Sequence, residues 1–226
     1  MSVKSGLFGA RGREFLREVA IVLLGVLIAL VLEQIVDEWR ERQRMEDIRA
    51  SMNSEIADFA EVLSIRLRAD SCIVRKLDAL DQLLAHPERA RGVRNVGRPP
   101  FYFSSRGAWN SDASDVLARY LGPERLRVYG EIYQGMEQFT ELGQQEQDDW
   151  IALQTLEQQD EPLAGDRRWA LVRAAAGARN SNLLMMAIAQ QMTADAHRLG
   201  ISRNHSLSLT DLPKREICQP LQTGSA

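Results

Sequence analysis

Val19-Ala-Ile-Val-Leu-Leu-Gly-Val-Leu-Ile-Ala-Leu-Val-Leu32 holds fourteen residues without a polar side chain, and no glycine or proline follows Gly25 until Pro87. Fourteen residues at about 1.5 Å each make about 21 Å of helix, short of the roughly 30 Å hydrocarbon core. The flanks supply the rest. Phe15 and Leu16 extend the apolar face upstream, Ile35, Val36 and Trp39 extend it downstream, and Arg17 is long enough to snorkel to the headgroups. Leu32-Glu-Gln-Ile-Val-Asp-Glu-Trp39 lacks the small residues of a signal cleavage site, so the stretch reads as an uncleaved signal anchor. Residues 1–14 are then a cytoplasmic arm and 15–39 a transmembrane anchor. Lys4, Arg11, Arg13 and Arg17 face Arg40, Arg42, Arg44 and Arg49 across the span. The short basic arm ahead of the apolar run favours a cytoplasmic N-terminus.

Beyond the anchor, Ile48, Met52, Ile56, Phe59, Leu63, Leu67, Ile73, Leu77, Leu80 and Leu84 recur mostly at three- and four-residue steps. That period predicts one amphipathic helix from Met45 to about His86, stopped by Pro87. Residues 87–110 hold three prolines, three glycines and five arginines, and read as a loop with Arg and aromatic side chains interleaved. Ser111 is a plausible cap for a helix over 112–121, and Gly122-Pro123 closes one helix and opens another. Leu126, Tyr129, Ile132, Tyr133, Met136, Phe139, Leu142, Trp150, Leu153 and Leu156 continue the helical spacing, with a bend expected between Gly143 and Gln147. Pro162 and Gly165 mark a turn, and Asp166 is placed to cap a helix carrying Trp169, Val172, Ala176, Leu183, Met186 and Leu199. Gly200 ends it. The expected fold is all-α: the transmembrane helix runs into the long amphipathic helix, which packs with two or three more as an antiparallel bundle over 40–200. A polar tail covers 201–226.

Removing the four basic and three acidic residues before Asp37 from the chain totals of 28 and 31 leaves 24 against 28. This mild acidity gives no reason to expect nucleic acid as a partner. Three histidines, His86, His197 and His205, stand without metal-ligand spacing, and no nucleophile elbow or phosphate-cradling loop occurs, so no catalytic, cofactor or metal site is expected. Cys72 and Cys218 are the only cysteines and fit either one long-range disulfide or two free thiols. Candidate interaction residues are Arg94, Arg98, Tyr102, Arg106 and Trp109, a set able to grip a phosphate, a lipid headgroup or an acidic partner if the loop is not simply solvated. Asn180-Ser181-Asn182 reads as an outward-facing polar turn, with a pocket lining or a bond across helices as the competing reading.

Arg17-Glu-Val-Ala-Ile-Val-Leu-Leu-Gly-Val-Leu-Ile-Ala-Leu30, with Glu33-Gln34 and Trp39-Arg-Glu-Arg42, resembles the N-terminus of a loose group of uncharacterised bacterial single-pass membrane proteins. Ala108-Trp-Asn-Ser-Asp-Ala-Ser-Asp115 and Tyr129-Gly-Glu-Ile-Tyr133 are similar to a second segment of that group. The resemblance implies an anchor and a helical ectodomain, and it carries no activity. With the orientation favoured by the basic arm, the expected location is a bacterial inner membrane with a periplasmic ectodomain. The function expected is a non-enzymatic interaction or envelope-assembly module, partnered by the lipid bilayer and by a second copy or another membrane protein. The alternative is a ligand-sensing ectodomain signalling through a partner subunit.

Overall fold

The computed structural model describes residues 8–101, 105–158, 163–202 and 214–223, and they form an all-helical protein. Residues 1–7, Tyr102, Phe103, Pro162 and His205 lie outside them. The chain divides into two compact units, Met1–Ile48 and Arg49–Ala226. A single helix, α1 (Phe8–Ala85), contributes to both.

In the first unit the apolar residues of α1 from Phe15 to Trp39 are all exposed. The most apolar 18-residue window has a mean hydropathy of 2.8 and none of it is buried, so by length and composition it can cross a membrane. Leu27 and Ile28 are 58% and 52% exposed, a state that water penalises and lipid does not.

In the second unit α1 is joined by α2 (Ser111–Tyr120), α3 (Pro123–Gln154) and α4 (Gly165–Arg198). The α1 residues at helical spacing from Met52 to Leu84 are buried, Leu67 partly, and between Glu61 and Arg66 all six consecutive side chains are buried. That stretch is therefore enclosed on every side. Polar contacts give the directions. Asn53, Glu55 and Arg66 meet Tyr129, Tyr133 and Glu146 in rising order, so α1 and α3 run parallel. Asp70, Asp78 and Leu84 meet Asn182, Arg179 and Arg168 in falling order, so α4 runs antiparallel to both.

The segment between α1 and α3 makes the return journey. It touches Lys76 at Asn95 and Glu55 at Ser105. Those α1 positions are 21 residues apart, roughly 31 Å of helix, so the segment runs back along α1. Pro99-Pro100 favours an extended backbone on the way. Ala90, Val93 and Val96 are fully buried, so this loop supplies core as well as connection. Gly97 has φ +62, and a Cβ there would lie 2.8 Å from the Ile217 nitrogen, so only glycine lets the tail pass.

That tail, residues 214–223, is fastened to α1. Cys72 and Cys218 are joined in a disulfide, Ile217 is 1% exposed, and Arg94 and Gln222 exchange two backbone hydrogen bonds. The Lys76 ammonium donates to the Asn95 and Glu216 carbonyls. Burial lowers its pKa to about 8, against the opposing pull of Glu216 and Glu157.

Local expectations differ from the structure at three places. Asn110, not Ser111, caps α2, because its side chain is the one that accepts from the Ala113 N–H at 2.9 Å. Asp166 makes no cap either: the N-cap is Ala164 and has no side-chain bond. Helix α3 passes Gly143 without a break, and the missing Cβ instead makes room for Phe101, whose ring would lie 2.3 Å from it. Gly200, at φ +74, does end α4: Ile201 N–H bonds Ala196 C=O and Gly200 N–H bonds His197 C=O, the double closure of a Schellman motif.

One polar cluster lies inside the bundle. Arg66, 3% exposed, forks onto both oxygens of Glu146 at 2.6 and 2.5 Å and donates to Asn182 Oδ1 at 2.5 Å. Asn182 in turn donates to Asp70 at 2.8 Å. Removing one partner leaves the other charge buried and uncompensated, so we predict that Glu146→Ala lowers unfolding stability by about 3–5 kcal/mol. The pair Arg66→Met with Glu146→Leu should recover most of that loss. Urea unfolding of the full chain in detergent, followed by circular dichroism, measures both; a loss below about 1 kcal/mol for Glu146→Ala would contradict a closed network.

Candidate interaction site

Helix α4 has two apolar faces, one buried and one that leaves large side chains exposed. Its buried face is Leu171, Ala174, Ala175, Ala178, Met185, Ala189 and Met192, with Ser181 and Asn182 among them. Small residues there let the backbones approach closely: a Cβ on Gly135 of α3 would sit 2.8 Å from the Met192 sulfur. Trp169 and Leu183, by contrast, are 62% and 68% exposed, and Leu184 is 43% exposed. The Trp169 ring carries the Arg168 guanidinium 5.9 Å from its centroid.

The outer stripe borders α1. Val74, Val172, Leu183 and Met186 line a groove of about 670 Å³, with Asp70 and Arg179 at its polar edge. Arg179 bonds Asp78 at 2.9 Å and Asp81 at 2.6 Å, tying the walls together. Asp70 and Asp81 line the groove against one cation, Arg179, so its lining is net acidic. A groove with an apolar floor and an acidic edge matches an amphipathic helix with basic residues beside its apolar stripe.

The residues singled out from sequence fall elsewhere and do not converge. Arg98 borders one hollow, with Phe101, Gln147 and Asp148, while Arg106 and Trp109 border another with Tyr133 and Glu137. Arg106 lies 3.6 Å from Glu137, Arg94 is held by its backbone to Gln222, and Tyr102 is outside the described residues. Trp109 stacks on Tyr133 with centroids 5.3 Å apart, each ring covering a face of the other. Tyr133 donates to Glu55 at 2.8 Å, and burial together with that bond raises the phenol well above its ordinary range. Glu55 also accepts from Ser105 Oγ and the Ala108 N–H, so it fastens the loop to α1.

Asn182 corrects the expectation of an outward polar turn: it is 4% exposed and bonds across helices. Trp169 is on the surface, while Trp150 is fully buried. Sequence reasoning missed the groove because Trp169, Val172, Ala176, Leu183 and Met186 have the period of a core face; the competing alanine face was the signal available. Among the described residues no cluster of three or more His, Cys, Asp or Glu is placed to hold a metal ion. No protein-family model, curated protein or solved structure matches the chain.

The two faces of α4 should respond oppositely to substitution. Leu183→Ser is expected to change stability by no more than about 0.5 kcal/mol. Ala178→Leu, which overpacks the inner face, is expected to cost about 1–3 kcal/mol. Thermal unfolding of the two variants checks this, and the reverse order would place the helix in the wrong rotation.

Proposed function

We propose that this chain is a non-catalytic, single-pass interaction module of the bacterial envelope. Its helical ectodomain lies outside the cytoplasm and docks an amphipathic, basic helix of a membrane-protein partner along the groove between α1 and α4. The observation that carries this reading is the exposure on α4 of three large apolar side chains, Trp169, Leu183 and Leu184, with Leu183 lining the groove. Large apolar side chains gathered on one surface are a common mark of a protein contact. The Cys72–Cys218 disulfide supports an oxidising compartment for the ectodomain, and the uncovered apolar window of α1 supports the anchor. A small-molecule sensor draws less support, since Trp109 and Tyr133 stack on each other rather than leaving two faces for a ligand.

A photoreactive amino acid placed at Leu183, and as control at the exposed Arg173, tests the docking in native membranes. The expected result is an adduct from position 183 and none from 173, with the captured peptide an amphipathic segment bearing Lys or Arg. Equal capture at both positions, no adduct at 183, or a captured peptide from this chain itself would overturn the proposed partner.

A further inference from the structure

The disulfide that fastens the tail sits in a chemically unequal setting. Cys72 belongs to a long helix and is 8% exposed; Cys218 belongs to a short 3-10 turn, Glu216–Cys218, and is half-buried. An open hollow of about 430 Å³ is lined by both cysteines together with Arg75, Lys76, Pro220 and Leu221. The Arg75 guanidinium lies 3.5 Å from Cys72 Sγ, one helical turn along α1. A disulfide serving only as a staple has no need of a cation against one of its sulfurs.

We propose that Cys72–Cys218 is an exchange site, opened by a dithiol while the helical core stays folded. One thiolate of the dithiol attacks Cys218 Sγ from the hollow, forming a mixed disulfide as the Cys72–Cys218 bond breaks. The electron pair leaves on Cys72, whose thiolate is held by Arg75. The second thiolate of the dithiol then displaces Cys218, giving a cyclic disulfide and two protein thiols; two electrons pass from the dithiol to the cysteine pair. Departure of the more stabilised thiolate accelerates exchange, which is why the position of the cation selects Cys72 as the leaving group. The tail keeps its other fastenings, the buried Ile217 and the Arg94–Gln222 bonds, so the thiols stay close and the bond can re-form. This inference does not rest on the docking groove.

The test uses the full chain in detergent micelles with dithiothreitol as the dithiol, trapping thiols by alkylation at timed intervals. Reduction is expected to reach completion with the helical circular dichroism unchanged. Arg75→Gln should slow it by about threefold or more, Arg75→Lys should retain the wild-type rate, and the control Arg173→Gln should have no effect. In the reduced wild-type protein, Cys72 should alkylate with a pH midpoint below that of Cys218. Reduction only after unfolding, equal rates for Arg75→Gln and wild type, or equal midpoints for the two thiols would overturn the proposal; the midpoints serve even where Arg75→Gln fails to fold.

Discussion

The Arg66–Glu146 pair, taken out of water between three helices, sets the terms for the rest of the bundle. Each charge would cost several kcal/mol to bury alone, and the cost is offset only while both arms of the fork and the Asn182 bond are made. Arg66 comes from α1, Glu146 from α3 and Asn182 from α4, so axial register is fixed for all three helices by one cluster. Rotation of α4 follows as well. With Asn182 turned in to reach Arg66 and Asp70, Leu183 is carried about 100° round the helix, towards the groove. The outward placement of Leu183 is thus a consequence of where one buried amide has to point.

Much of this architecture was legible in the residues. The helical period from Met52 to Leu84 marks a buried face because three- and four-residue steps put those side chains on one side of a helix. Gly122-Pro123 and Gly200 set helix boundaries by backbone chemistry that needs no tertiary partner. What escaped was whatever depended on a partner distant in sequence. Arg66 reads as surface when met between Leu63 and Leu67, and only Glu146, 80 residues on, makes its burial affordable. Likewise Gly143 reads as a weak point in α3 until Phe101 is seen lying where its Cβ would be. Helix α4 shows the limit of periodicity most clearly: two faces have apolar period, and the bonds of Asn182 to Arg66 and Asp70 decide between them.

The return leg explains why α1 and α3 can lie parallel although they follow one another in the chain. Its buried Ala90, Val93 and Val96 and its bonds to Glu55 and Lys76 make it a packed element in its own right. The candidate loop residues are consequently spread along the bundle, with Arg98 and Arg106 beside different hollows, so they form no single grip. The tail closes the other end of the same path, passing Gly97, then joining α1 by its disulfide and then bonding Arg94.

The proposed placement, a membrane anchor with its ectodomain in an oxidising compartment, accounts for both the uncovered apolar segment and the disulfide. The most direct measurement is a pair of C-terminal fusions, one reporter active only outside the cytoplasm and one fluorescent only inside. The account predicts activity from the first and darkness from the second. The reverse pattern would place the bundle in a reducing compartment and contradict it.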